Sequence, residues 1–432
     1  MSKKYILIIL ALSLVTHFVF FSYPAETVFD EVHFGKFISS YFTGEYFFDI
    51  HPPLGKLMIA GVAKISGFQP GFSFQTIGQD YSDNSYKWLR FLPKLAGALL
   101  PVVIFLIALK LGLSQKSAFL AGLLIVFENS LLVQSRLILL DAFLLLFGFS
   151  AILFFLKFRS SNSTYHLLIS TFFAVSAASI KWTGFTFLAI IILFYSINWL
   201  KSKNKIKLAF NGLIFLIVVP FIIYFLIFII HFSLLDKAGP GLAFHPPNFQ
   251  RMNIFEKFTE LNSELYQSNT RLTASHPYSS EWYQWPFMTR SIYYWNDSTN
   301  SSQSEAKIYL LGNPLIWWLT TVIIVYSIIY FRKYFMLDTK YLILPISYLL
   351  NLLPFIFIGR VMFLYHYFTS LIFAILILAY VLDKSDFARK KTAFNAILIG
   401  SIILFLFFSP LTYGFQIPDW YYKMTVWMPS WR

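Results

Sequence analysis

The sequence predicts an all-α protein that crosses a membrane many times. Of its 432 residues, 57% are hydrophobic, only 12% are charged, and 51 are phenylalanine. A water-soluble domain of this length does not carry so much apolar sequence. The apolar residues are gathered in runs long enough to span a bilayer as helices, and the alternating pattern typical of a membrane β-barrel does not occur.

Eleven apolar runs divide the chain, at about 5–22, 92–113, 117–135, 137–158, 165–183, 184–200, 208–232, 313–331, 341–358, 362–382 and 394–411. Lys181 interrupts what would otherwise be one long run through the fifth and sixth. The first run has the flanks of a signal anchor without a clear cleavage site, so we interpret it as retained. No internal repeat or separate soluble domain is evident, and residues 1–432 are interpreted as one transmembrane domain.

The distribution of charge predicts the orientation of these helices. Half of the 34 Lys and Arg residues fall in six short segments, of which 201–207 holds four lysines, whereas most acidic residues lie elsewhere. Because positive connections stay on the cytoplasmic side, the long segments 23–91 and 233–312 are predicted to face outward. The net charge of +14 follows from this asymmetry and does not indicate binding to nucleic acid.

The first outer loop, 23–91, carries the strongest chemical signal. Its Asp30-Glu31 pair lies beside a membrane span, where spanning the bilayer requires no carboxylate. Adjacent acids cannot share one helix face, so we expect one to accept a proton from an attacking hydroxyl and the other to pair with a cation. The alternative is that Asp30 only caps the helix that follows.

A second motif of this loop reads His-Pro-Pro-Leu-Gly-Lys at 51–56. Its prolines predict a rigid turn before a helix, and His51 and Lys56 are candidate contacts of a sugar or an acceptor. Apolar residues recur at helical spacing at 34–41 and 54–65, which predicts two amphipathic helices on the membrane surface.

Isolated charged or polar residues occur at the predicted outer ends of several spans. Ionisable residues at membrane depth usually face a cavity or one another, although single cations also snorkel to the interface. Cations that converge on one face suit a lipid phosphate, which they hold through charge-assisted hydrogen bonds. The candidates for phosphate binding are therefore Arg136, Lys181, Arg360 and His366, and Asp141 is a candidate contact of a sugar or an acceptor.

The second outer loop, 233–312, contains a dense aromatic segment at 274–286. Its rings are typical either of an interfacial belt or of a platform for a sugar or an extended peptide, and the neighbouring hydroxyls favour the second interpretation. The candidate residues are His276, Tyr278, Trp282 and Trp285. The chain has no cysteine, which excludes disulfides and thiolate catalysis. No metal-binding motif occurs, no cofactor is assigned, and a requirement for a divalent metal stays open.

Several strings spread over the chain resemble the protein O-mannosyltransferase family, the dolichyl- or polyprenyl-phosphate-mannose–protein mannosyltransferases. They are FDEVHFGKF (29–37), DIHPPLGKL (49–57), LRFLPKLAGAL around Arg90, SRLILLDAF (135–143), ASHPYSSEWYQWP (274–286), GNPLIWW (312–318) and GRVMFLYHY (359–367). The resemblance implies the GT-C glycosyltransferase architecture, an active site on the non-cytoplasmic side, and inverting transfer of mannose from a polyprenyl phosphate to Ser or Thr of a protein. It also implies that Asp30 is the catalytic base and that Glu31 and Arg90 are essential.

One departure from the family concerns the second outer loop, which is far too short for the MIR domain of eukaryotic members. The sequence therefore resembles a compact bacterial-type member in the cytoplasmic membrane, with its site facing the periplasm or exterior. The expected partners are the polyprenyl-phosphate sugar, an acceptor protein or peptide, and the bilayer, while the oligomeric state stays open.

Three alternatives stay open at this point. The same architecture could transfer another lipid-linked sugar to a lipid or glycan. Asp30 and Asp141 could form the carboxylate pair of a retaining hydrolase. A transporter is the most remote alternative, because transporters place polar residues near the midplane and often carry internal repeats.

Overall fold

Helices make up most of the molecule. The computed structural model describes residues 2–271, 273, 275–297, 304–336, 339–384 and 387–432, so Ala274, the first residue of the aromatic segment, lies outside it. In chain order the helices are α1 (Ser2–Phe18), α2 (Glu31–Thr43), α3 (Leu54–Ile65), α4 (Tyr86–Lys110), α5 (Gln115–Val126), α6 (Asn129–Arg136), α7 (Asp141–Ser161), α8 (Thr164–Ala178), α9 (Phe185–Lys201), α10 (Lys205–Leu213), α11 (Val219–Leu234), α12 (Ile254–Arg271), α13 (Pro314–Ile329), α14 (Ile343–Leu352), α15 (Phe368–Asp383), α16 (Phe387–Tyr413) and α17 (Asp419–Thr425).

The prediction of a polytopic helical membrane protein is confirmed. Among the described residues, six helical segments are long and apolar enough to cross a membrane, and the bent pair α5 and α6 makes a seventh. Three further apolar helices, α8, α13 and Ile343–Phe357, are shorter, and α1 has 17 residues. Each of the eleven predicted runs coincides with one of these helices or broken helices.

Two breaks in the helices have clear local causes. The axis bends by 55° between α5 and α6, where the fully buried Glu128 caps α6 by accepting a hydrogen bond from the Leu131 amide at 2.7 Å. The same carboxylate accepts bonds from the Asn313 amide and the Trp317 indole, both at 2.8 Å. A carboxylate buried this deeply needs such donors. The second break follows Ala178, and Lys181 lies in it, as the sequence predicts.

The first outer loop contains the two expected amphipathic helices, α2 and α3. Gly44 ends α2 in the left-handed conformation at φ 82°, which favours glycine. Pro53 immediately precedes α3, because its fixed φ suits a helix start and its missing N–H is not needed there. Ile59 of α3 is fully buried, whereas Ile65 at its end is 89% exposed.

A small antiparallel sheet, which the sequence did not predict, joins the second outer loop to the C-terminal segment. Its strands are β1 (Ile292–Asn296), β2 (Ser304–Leu310) and β3 (Gln416–Pro418), in the order β1-β2-β3. The indole of Trp431 donates to the Met288 carbonyl at 2.8 Å, and the Ser291 hydroxyl donates to the Trp431 carbonyl at 3.2 Å. Glu45 bridges to Lys237 of the second loop. Both long loops and the C-terminal segment therefore meet at one end of the helices.

Candidate active site

Asp30 occupies the residue before α2, yet its side chain does not cap the helix. No cap hydrogen bond to this carboxylate forms, and none of the described residues donates to it. Burial raises the pKa of the Asp30 carboxyl to about 7, the positive charge of Lys181 opposes this shift, and the charges of Asp141 and Asp49 add to it. An unbonded carboxylate that titrates near neutrality is suited to general-base chemistry.

The backbone that presents Asp30 is held in an uncommon conformation. Phe29 has φ 48°, in the left-handed region that non-glycine residues rarely adopt. Its ring stacks on Tyr294 of β1 with centroids 3.9 Å apart and planes 6° apart, and its amide donates to the Tyr294 carbonyl at 3.2 Å. Strained residues persist only where their surroundings determine them, and here β1 supplies the determining contacts.

Glu31, next along the chain, points into the protein and forms a buried ion pair with Arg90 of α4. The Nε and Nη2 atoms of Arg90 donate to the two carboxylate oxygens at 2.7 and 2.6 Å, and neither side chain is exposed. Arg90 also donates to the carbonyls of Pro24 and Glu26 at 2.6 and 2.7 Å. This bidentate pair therefore anchors the segment around Asp30 to a membrane helix.

A second ion pair lies close to Asp30. Lys181 donates to both oxygens of Asp141, at 2.8 and 2.9 Å, and both side chains remain slightly exposed. The amide of Gln134 donates to the same carboxylate at 2.6 Å, and the Tyr294 hydroxyl donates to the Gln134 carbonyl at 2.5 Å. Tyr294 thus connects the Lys181–Asp141 pair, through Gln134, to the backbone of Phe29 immediately before Asp30.

The 49–56 turn is held by the buried Lys56. Its ammonium group pairs with Asp49 and donates to the carbonyls of His51 and Pro52 at 2.9 and 3.2 Å. Burial, followed by the neighbouring cations led by Lys181, holds the pKa of His51 well below its usual range. The cations Lys181, Lys56 and Arg360 thus act on His51 in addition to its burial, and positive charge there suits an anionic ligand.

A cavity of about 520 Å³ brings several of the candidate residues together. Its polar wall includes His51, Asp141, Lys181, Arg360 and His366, and its apolar wall includes Leu350, Phe355, Phe357 and Ile358. Arg360 donates to Asn269, which donates in turn to the Ile50 carbonyl at 2.9 Å. His366 meets the Phe363 backbone through Nδ1, which leaves Nε2 without a partner in the described chain. The site thus combines cations with a long apolar surface.

Comparison with known proteins identifies the family. Residues 7–236 match the model for dolichyl-phosphate-mannose-protein mannosyltransferase, and residues 254–431 match that for the C-terminal four-transmembrane region of protein O-mannosyltransferase. The chain belongs to the protein O-mannosyltransferase family. It is 39% identical over 243 residues to dolichyl-phosphate-mannose–protein mannosyltransferase 1 of Saccharomyces cerevisiae, an alignment that covers 53% of this chain and 30% of that protein. The chain spans about a third of the length of the curated relatives it matches.

Solved structures share the fold. The S. cerevisiae protein O-mannosyltransferase Pmt1–Pmt2 complex bound to the sugar donor superposes with a TM-score of 0.92 at 21% identity, covering all of this chain and 92% of that one. ArnT from Cupriavidus metallidurans gives a TM-score of 0.56 at 15% identity, covering 93% of this chain and 63% of ArnT. The expected GT-C architecture is therefore confirmed.

The structure of this family member gathers some of the predicted site residues and leaves others apart. Lys181, Arg360 and His366 share the cavity, whereas Arg136 does not line it. Instead, Arg136 donates to the carbonyls of Thr412 and Phe20, both at 3.1 Å, and lies 4.3 Å from the ring centroid of Tyr413. This corrects its expected place among the phosphate ligands, because its Nη1 and Nη2 donors face the backbone between helices.

The predicted aromatic platform also requires a correction. Trp285 is fully buried: its indole donates to the carbonyl and hydroxyl of Ser280, both at 3.1 Å, and its ring stacks on His366. It therefore offers no surface to an acceptor and instead supports the cavity wall. His276 is exposed with its ring 5.0 Å from Phe363, and Tyr278 and Trp282 are half-buried.

Sequence reasoning missed four residues of this family member's site: Asp49, Gln134, Asn269 and Tyr294. Asp49 stands inside the quoted DIHPPLGKL string and could have been found there. The other three are neutral residues that act through hydrogen bonds, and a single sequence carries no signal that separates them from ordinary polar residues. Among the described residues no group of three His, Asp or Glu side chains is arranged to hold a metal ion.

Proposed function

We propose that this protein transfers mannose from a polyprenyl-phosphate donor to Ser or Thr hydroxyls of a protein or peptide. The observation that carries the proposal is the unbonded Asp30 carboxylate, which feels the charges of Lys181 and Asp141, two residues of the cavity wall. The names of the relatives supply the sugar and the acceptor class. In the reaction, the hydroxyl oxygen forms a bond to the anomeric carbon, the bond from that carbon to phosphate oxygen breaks, and Asp30 takes the hydroxyl proton.

The physical requirements of this transfer match the cavity. A lipid phosphate is already a good leaving group, so the protein must supply a base for the acceptor and positive charge for the departing oxygen. Lys181 and Arg360 supply fixed charge, and Arg360 retains an Nη2 group with no partner in the described chain. Its planar guanidinium suits phosphate oxygens better than a point charge does. A pocket of this volume is in the usual range for small-molecule sites.

The apolar wall is suited to the lipid part of the donor. Phe357 is 87% exposed and Ile358 is 37% exposed, and both border the cavity. An isoprenoid chain could therefore pass from the bilayer along these side chains while its phosphate meets Lys181 and Arg360. This arrangement requires no opening large enough to admit a whole lipid from water.

The proposed location is a bacterial cytoplasmic membrane, with the site on the outer face. The charge asymmetry of the sequence supports this orientation. Single cysteines introduced into this cysteine-free chain at the exposed Asp83 and at Lys203 should react with an impermeant thiol reagent from opposite sides. Labelling of both from the same side would contradict the orientation.

The direct test incubates the purified protein with polyprenyl-phosphate mannose and a Ser/Thr-rich peptide and reads the peptide by mass. The wild-type protein should add one hexose to Ser or Thr. Asp30→Asn should slow transfer by about 10²–10⁴-fold, the usual contribution of a general base. Asp83→Asn is the matched control, since among the described residues this exposed carboxylate of the same loop contacts only Ser85, and its loss should leave transfer unchanged.

The acceptor class is tested in the same reaction. A lipid or glycan acceptor replaces the peptide in a parallel sample, with the same donor. Hexose on that acceptor and none on the peptide would overturn the protein-acceptor proposal while keeping the glycosyltransferase. Free mannose in place of both products would indicate a hydrolase.

A further inference from the structure

We propose that Tyr294 is a positioning residue that holds the base Asp30 and the phosphate-binding Lys181 in a fixed relation. The inference rests on the proposed function. Tyr294 belongs to β1, in the second outer loop, whereas Asp30 belongs to the first loop and Lys181 to a break between membrane helices. One side chain thus connects three distant parts of the chain at the reacting centre.

The first connection runs from Tyr294 to the base. Its ring lies flat against Phe29, and its carbonyl accepts the Phe29 amide, so both the side chain and the backbone of Phe29 are fixed. Phe29 carries the left-handed φ of 48° immediately before Asp30. Without the stacked ring, this residue is expected to relax toward the allowed region of negative φ, and Asp30 moves with it.

The second connection runs from the Tyr294 hydroxyl to Lys181. Ionised Asp141 can only accept hydrogen bonds, so the Gln134 amide nitrogen must face it and the Gln134 carbonyl must face Tyr294. The phenol is therefore the donor at 2.5 Å. Asp141 in turn accepts both contacts from Lys181. Removal of the phenol hydroxyl leaves the buried Gln134 carbonyl unpaired and permits the Gln134 amide to turn. This rotation weakens its bond to Asp141 and so disturbs the position of Lys181.

Tyr309 provides a matched control because it is a second buried tyrosine of the same sheet. It lies on β2, and its hydroxyl bonds to the Tyr422 hydroxyl at 2.9 Å. Tyr309→Phe also deletes one phenolic hydrogen bond, which is partly buried, but this one does not lead to Asp141. If Tyr294 served only the packing of the sheet, Tyr294→Phe and Tyr309→Phe would have equal effects.

The experiment measures binding and transfer separately. Binding of polyprenyl phosphate without sugar, followed by tryptophan fluorescence, should weaken about tenfold in Tyr294→Phe, as expected for one disrupted buried hydrogen bond, and stay at the wild-type value in Tyr309→Phe. Because this readout requires no transfer, it separates a failure of the inference from a failure of the proposed acceptor chemistry. In the transfer assay the donor KM should rise in Tyr294→Phe, while kcat stays near the wild-type value because the stacked ring remains.

A second variant removes the ring. Tyr294→Leu should lower kcat by about 10²-fold through misplacement of the base, and it should move the midpoint of the pH–rate profile below the wild-type midpoint. The direction follows because solvent reaching Asp30 relieves the burial that raises its pKa. Equal behaviour of Tyr294→Phe and Tyr309→Phe in both assays, or an unchanged midpoint in a folded Tyr294→Leu protein, would overturn the inference.

Discussion

Replacement of Glu31 tests whether its ion pair with Arg90 stabilises the fold or takes part in the reaction. Glu31→Gln replaces a carboxylate that accepts five hydrogen bonds. One oxygen receives the Arg90 Nε and the Ile138 amide, and the other receives the Arg90 Nη2, the Val28 amide and the Tyr81 hydroxyl. Whichever way the glutamine amide is oriented, its nitrogen faces at least two donors. Arg90 also loses its counter-charge in a fully buried position.

The expected effect is a large loss of stability. Removal of one partner of a buried, hydrogen-bonded ion pair costs about 3–5 kcal/mol. Thermal unfolding in detergent should therefore show a midpoint several degrees below that of the wild type. Transfer should fall as well, because the adjacent Asp30 loses its anchor. Glu45→Gln is the control, since Glu45 is exposed in the same loop and its replacement should change neither quantity.

The result that would refute this reasoning is also clear. If Glu31→Gln unfolds at the wild-type temperature yet loses all transfer, the carboxylate takes part in the chemistry, as the family resemblance implies. Arg90→Lys adds a second view, because it keeps the charge and loses the bidentate geometry. That variant should retain part of the stability, whereas a purely electrostatic anchor would retain all of it.

Three further outcomes are expected. The transfer rate should rise with pH through a midpoint at about 7, because only ionised Asp30 accepts the proton. The raised pKa also means that ionisation of Asp30 lowers the stability of the protein as the pH rises from about 4 to about 7. Above that range Asp30→Asn should therefore unfold at a higher temperature than the wild type. Arg360→Ala should weaken binding of polyprenyl phosphate by at least tenfold, with partial recovery in Arg360→Lys, as expected for a charge-assisted hydrogen bond; normal binding by the alanine variant would remove Arg360 from the phosphate site. Asn269→Asp should raise the donor KM, because a carboxylate beside Arg360 competes with phosphate; an unchanged KM would show that Asn269 does not orient this guanidinium.

The helices were predictable because each depends on local sequence. Neighbouring residues alone determine the apolar runs of spanning length, the helix start at Pro53 and the interruption at Lys181. All three features are present in the structure. The sheet was not predictable, since β3 consists of three residues that pair with a strand more than a hundred positions earlier. Its stabilisation comes from distant contacts rather than from its own propensity.

Only the charged residues of the candidate site could be predicted from the sequence, and not all of them correctly. Arg136 and Arg360 carry the same signal, a cation at the end of a span, yet one donates to helix-end carbonyls and the other lines the cavity. Trp285 and Tyr294 are likewise both loop aromatics, and only the fold distinguishes a support of the cavity wall from a contact of the base segment. In both comparisons the direction of the side chain determines the role of the residue, and a single sequence does not reveal that direction.

The pairing of the C-terminal segment with the second loop has a consequence for biosynthesis. The ribosome produces Asp30 early, but β3 and Trp431, which brace β2 and the Met288–Ser291 stretch just before Tyr294, emerge only after α16. The membrane helices can insert one after another while this brace is still missing. The proposed transfer activity should therefore appear only after this segment has been made, and a nascent chain halted before residue 416 should be inserted but inert.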